Sequence, residues 1–136
     1  MKKLNLLLLF LPLFINAQYG RAVKFQNSVR SYYNMQELSA NRQLKKQAQA
    51  WANHIAIEDE LILSSDIYGE SLYRLPKNDI MNSRNYYLDA TVAWFEANNT
   101  PEYYQQLCYS CTEVGFGMAE SDEYIYVVAK YDKIYD

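Results

Sequence analysis

The chain is sparing with the side chains that do chemistry near neutral pH. His54 is its one histidine, and its two cysteines, Cys108 and Cys111, form a single C-x-x-C. Metal centres draw on clustered donors, whereas His54 stands three residues after Trp51 at the border of an apolar helical stripe. That is the place of a boundary or surface histidine. The cysteine pair leaves three readings open: a local disulfide, two unpaired thiols, or redox or metal chemistry. A lone pair in an exported chain puts the disulfide first. No G-x-S-x-G, phosphate-cradling glycine loop or H-E-x-x-H occurs, so the usual nucleophile, nucleotide and zinc-hydrolase patterns are missing. A cysteine–histidine couple would have to join His54 to Cys108 or Cys111, and no spacing recommends it.

Export is read from the first residues. Lys2 and Lys3 precede an apolar run from Leu4 to Ile15, and Ile15-Asn16-Ala17 ends on the small residue a signal peptidase accepts. The run is short of the roughly 20 residues a membrane-spanning helix needs. No cysteine follows the expected cut between Ala17 and Gln18, which speaks against a lipid anchor. Residues 1–17 are therefore expected to be a signal peptide and residues 18–136 one secreted domain, extracellular or periplasmic. Losing residues 1–17 removes two lysines and no acid, so the net charge moves from −3 to −5. An acidic domain is a poor partner for nucleic acid or for an anionic lipid surface. No second apolar stretch is long enough to span a membrane.

The elements that must position any site follow from periodicity. Ala22, Phe25, Val29 and Tyr32 mark one face of a helix over residues 21–33. Leu44, Ala48, Trp51, Ala52 and Ile55 mark a second over residues 40–60, with Ser39 as its cap and Arg42, Lys45, Lys46 and Gln49 turned to water. Leu88, Thr91, Val92 and Phe95 mark a third over residues 83–98. The stretch between the second and third, with Tyr68-Gly69-Glu70-Ser71 and Pro76, reads as irregular. Val114 to Met118 and Tyr124 to Tyr131 read as two strands of an antiparallel hairpin joined by Glu120-Ser121-Asp122-Glu123. Helices first and a hairpin last predict an α+β domain of about three helices on a small antiparallel sheet.

Read in order, these segments resemble the CAP or SCP family, the cysteine-rich secretory, antigen 5 and pathogenesis-related 1 proteins. Gln26-Asn27-Ser28-Val29-Arg30 resembles the family's H-N-x-x-R segment with glutamine for histidine, and Leu44 to Ala52 its L-x-x-x-A-x-x-W/Y-A helix. Gly69-Glu70-Ser71 resembles the G-E-N turn, Ala93-Trp94-Phe95-Glu96 the W-Y-x-E helix, and Val114-Gly115-Phe116-Gly117 the V-G-C/V-G strand. The closing Tyr126-Val127-Val128-Ala129-Lys130-Tyr131 is nearest to the Golgi-associated branch. The resemblance implies a three-layer α-β-α sandwich.

It also implies a cleft of two histidines and two glutamates able to hold a divalent metal, and here the match thins. Glu70 takes the G-E-N position. The histidine expected shortly before it falls near Leu63 or Ser64, and the second falls near Pro101 or Glu102. The helix glutamate is due at Ala97, one residue after Glu96, and one residue turns a helical side chain by about 100°. A degenerate site without metal or cofactor is therefore expected, with Glu70 accepting turn amides beside Gly69. The competing reading is a metal-dependent hydrolase using Glu70, Glu96 and His54.

Tyrosine is the conspicuous residue, fourteen in all, with pairs at Tyr32-Tyr33, Tyr86-Tyr87 and Tyr103-Tyr104. A ring with a polar tip suits half-exposed contact surfaces, although most tyrosines rim cores. Residues 100–111 read as a long loop carrying Tyr103, Tyr104, Tyr109 and the cysteine pair, and loops on a rigid scaffold commonly carry recognition. The expectation is a non-enzymatic module binding a protein, peptide or lipid ligand through Glu70, Tyr103, Tyr104 and Tyr109; the resemblance is what brings lipid into that set. A structural protein without a cleft ligand is the third reading, prompted by an end at Asp136 where the family continues with P-x-G-N. Asn98-Asn99-Thr100 is a glycosylation sequon followed by Pro101, which disfavours its use.

Overall fold

The computed structural model describes residues 18–79 and 85–136, so the expected signal peptide lies outside the described residues. Helix α1 covers 18–32. The order then runs β1 (Ser39–Ala40), α2 (Arg42–Glu58), β2 (Gly69–Pro76), a 3₁₀ turn (Lys77–Asp79), α3 (Tyr86–Glu96), α4 (Pro101–Gln106), β3 (Glu113–Glu120) and β4 (Tyr124–Tyr131). The four-stranded sheet has the order β1-β3-β4-β2.

The expected layers and hairpin are present, and several local readings change. The sheet is mixed, because the two-residue β1 joins β3 in parallel while β2 and β3 flank β4 antiparallel. The stretch read as irregular holds β2: Gly69 to Pro76 pair residue for residue with Tyr131 to Tyr124. The 100–111 segment read as a loop opens with α4, where Thr100 caps the helix by accepting from the Tyr103 amide and Pro101 sits in the first turn. Helix α2 starts later than expected. Asn41, not Ser39, is its cap, its side chain accepting from the Leu44 amide at 2.8 Å, and Asp59 closes it in the left-handed region at φ 54°. Helix α3 likewise begins after Asn85, whose side chain accepts from the Leu88 amide at 3.0 Å.

Alternation along β4 divides the core in two. Val127, Ala129 and Tyr131 face α1 and α3, packing with Tyr19, Ala22, Tyr87, Ala90 and Trp94. Tyr126 and Val128 face α2, packing with Ala48, Ala52, Ile55 and Ala56. This is the α-β-α sandwich. Helix α2 lies directly on β3, its Gln49 side chain donating to the Met118 carbonyl at 2.7 Å and accepting from the Met118 amide at 3.1 Å. Gln49 thus completes the β3 edge beyond short β1 instead of facing water. No helix among the described residues is long and apolar enough to cross a membrane.

The buried stripe of α1 is Tyr19, Ala22, Gln26 and Arg30, rotated from the expected apolar one, and Tyr32 is exposed. Two of the four are polar, and they tie α1 to the segment that carries the cysteines.

Candidate functional site

Arg30 is wholly buried, and its guanidinium spends its donors on main-chain carbonyls: Gln36 at 2.8 Å, Gln106 at 3.2 Å, Cys108 at 2.8 Å and Cys111 at 3.0 Å. The planar fork of arginine suits such convergent acceptors. Cys108 and Cys111 are joined by a disulfide, buried beneath this loop. Gln26 donates to the Gln106 side chain at 3.0 Å and to the Tyr131 hydroxyl at 2.7 Å. Asn27 fastens the return from α1 by exchanging two hydrogen bonds with the Leu38 backbone. The segment after α4 is therefore a rigid platform.

Tyrosines crowd its outer face. Tyr32 and Tyr33 meet edge to face with centroids 5.2 Å apart, and the Tyr103 hydroxyl lies close to Tyr33. Tyr103 meets Tyr104 at 5.5 Å, and Tyr104 stacks on Tyr135 at 5.8 Å. Tyr104, Tyr109 and Tyr135 border one shallow hollow of about 170 Å³. Tyr32 and Tyr109 are 82% and 80% exposed, against 45% and 43% for Tyr33 and Tyr104. Three of these residues, Tyr103, Tyr104 and Tyr109, are the expected binding residues. Tyr33 and Tyr135 complete the face although they lie far away in sequence.

Glu70 sits apart from that face. It pairs across the strands with Lys130, whose ammonium lies 3.0 Å from its carboxylate and also bonds Asp66 and, at 2.8 Å, the Ser64 hydroxyl. Glu70 further accepts from the Ser64 amide at 2.8 Å and from the Ser64 hydroxyl. Glu70 therefore does not accept turn amides beside Gly69, since both residues lie in β2; it accepts the Ser64 amide and joins an ion pair instead. Glu96 ends α3 exposed to solvent, and exposed His54 stacks on Trp51 at 4.7 Å. Among the described residues no three His, Cys, Asp or Glu side chains come together. The donors present do not fit a divalent metal, since the one matching carboxylate is already met by an ammonium.

A second carboxylate secures the end of the sheet. Asp132 accepts from the Thr112 amide at 2.9 Å, the Thr112 hydroxyl at 2.8 Å and the Glu113 amide at 3.0 Å. Burial works against the charged form, but these donors outweigh it and hold the carboxyl below the usual carboxylate range. A depressed folded pKa means the unfolded chain takes up the proton first. The associated stability is full above about pH 4 and is lost as pH falls through the folded value. Urea unfolding at pH 7 and pH 3 is expected to show a smaller acid loss in Asp132→Asn than in the parent; equal losses would remove Asp132 from the account.

The model of the CAP family, described as the cysteine-rich secretory protein family, matches residues 23–131. No curated protein matches the chain significantly. Solved structures do. BmVAL-1 superposes with a TM-score of 0.69 at 18% identity, over 86% of this chain and 77% of that one. NaASP2, determined with Zn²⁺, gives 0.67 at 15% identity over 82% and 77%. An outer surface protein from Borrelia burgdorferi gives 0.61 at 12% over 86% and 93%. At such identities the likeness is one of fold.

Proposed function

The chain belongs to the CAP family of cysteine-rich secretory proteins, and on that footing we propose that it is an exported, non-enzymatic binding module that captures a protein or peptide on its tyrosine face. One observation carries the proposal: Tyr32, Tyr33, Tyr103, Tyr104, Tyr109 and Tyr135 gather from three separate parts of the chain onto one exposed surface over a pinned, disulfide-closed segment. Rigid aromatic rings with polar tips give large contact area at low entropic cost. A peptide suits the face better than a lipid, because its hollow of about 170 Å³ is below the 300 Å³ or so at which small-molecule sites begin. The hydrolase reading is the weaker one, because Glu70 is committed to Lys130 while Glu96 and His54 stand exposed. Export rests on the signal-like residues 1–17.

Peptides selected by display against residues 18–136 provide the test. Tyr32→Ala and Tyr109→Ala, at highly exposed positions, are expected to weaken the selected peptides about tenfold each without lowering the melting temperature. Peptides that bind both variants as tightly as the parent would sink the proposed face.

A further inference from the structure

Lys130 is 2% exposed, and its position is built from three directions. On β4 it stands opposite Glu70 of β2 and Gly115 of β3. The missing Gly115 side chain leaves the α2 backbone close by: a Cβ there would lie 2.2 Å from the Lys45 amide nitrogen. The connection between α2 and β2 brings Ser64 and Asp66 over the ammonium, so its oxygen partners are two carboxylates and a hydroxyl. Burying a lone ammonium is costly, and it is tolerated when its donors are met by opposite charge. Both carboxylates face the same nitrogen. Two acids converging with a hydroxyl are also the hard oxygen donors that a divalent cation would take.

We propose that the Lys130 ammonium is the resident cation of the Glu70 site: it neutralises Glu70 and Asp66, anchors the 61–68 connection, and excludes divalent metal ions from the site. The charge that a bound ion would bring is carried by the chain itself. This assignment is independent of what the tyrosine face binds.

Mn²⁺ is a suitable probe, because its paramagnetism broadens the NMR signals of nearby amides even when binding is weak. Titrated into the parent domain, Mn²⁺ is expected to leave the Ser64, Tyr68 and Glu70 amides as sharp as those elsewhere; selective broadening there overturns the assignment. In Lys130→Gln the same amides are expected to broaden with at least about tenfold less Mn²⁺, since two acids are left without their counter-ion. Identical titrations of the two proteins overturn it equally. Should Lys130→Gln fail to fold, the parent decides alone. A hydrogen-bonded, buried ammonium should give one slowly exchanging lysine NH₃⁺ resonance that vanishes in Lys130→Arg, and a parent without that resonance has an open Lys130 and no resident cation.

Discussion

Arg30→Met is expected to lower the unfolding free energy by at least about 4 kcal/mol, a large part of the 5–15 kcal/mol that holds an ordinary domain together. The guanidinium is wholly buried and serves four carbonyls, those of Gln36, Gln106, Cys108 and Cys111. A buried acceptor left without a donor costs about 1–3 kcal/mol. The low end of that range applies, because the loop can open and let water reach some of the four. Methionine keeps much of the volume and supplies no donor, so the loss reads the hydrogen bonds rather than a cavity. Arg30→Lys should recover less than half, since a point-like ammonium cannot reach acceptors spread around a planar fork. Urea unfolding of the three proteins measures this directly. A loss below about 1 kcal/mol for Arg30→Met would mean that the platform under the tyrosines stands without it. If the expectation holds, the same variant should also loosen the tyrosine face, because the carbonyls it frees belong to the segment bearing Tyr109.

Gly115→Ala and Gly117→Ala are each expected to cost about 3 kcal/mol, or roughly 10 °C in melting temperature for a domain of this size. Both glycines point from β3 at α2. A Cβ at Gly115 would lie 2.2 Å from the Lys45 amide nitrogen, and one at Gly117 would lie 2.3 Å from that of Gln49. The obstacles are helix backbone, which cannot swing away as a side chain can, so α2 would have to lift from the sheet. Lifting it strains the paired hydrogen bonds between Gln49 and Met118 and loosens the packing of Ala48 and Ala52 on Val128. Gly20→Ala is the internal control. Nothing lies within 4 Å of the added carbon, and Gly20 is helical and exposed, so the change should stabilise by about 0.5–1 kcal/mol. Thermal melts of the three variants separate close approach from propensity. A Gly117→Ala protein melting with the parent would show that α2 does not rest on β3 as described.

The alternating G-x-G of β3 shows how much a sequence can say when the constraint is local. Glycines two apart on a strand leave one face bare, and only a close-lying element makes use of that. The same holds for the hairpin, for the helical stripe through Leu44, Ala48, Ala52 and Ile55, and for the order of short motifs that matches the family. Each rests on residues within a few positions of one another, where periodicity reports burial. The two-residue β1 has no such pattern. Its pairing exists because β3, more than seventy residues later, offers an edge.

Polar burial is what hydropathy along the chain does not reveal. In α1 the apolar residues Phe25, Val29 and Tyr32 mark one face, yet Gln26 and Arg30 are the ones wholly buried. Apart from Gln36, their acceptors lie in the α4 segment and in β4, and hydropathy cannot register a partner 76 to 105 residues away. Lys130 inside an otherwise apolar strand carried a hint, as a charged residue in a buried strand needs a counter-charge. Which acids would answer it depended on the β2–β4 register and on the path of the 61–68 connection. For the sites, then, residue types and their order along the chain already give the scarcity of catalytic side chains, the Glu70 position and the abundance of tyrosine. That Glu70 faces an ammonium, and that tyrosines from the end of α1, the 100–111 segment and the chain end share one surface, follows from the fold, because both are juxtapositions made by packing rather than by spacing.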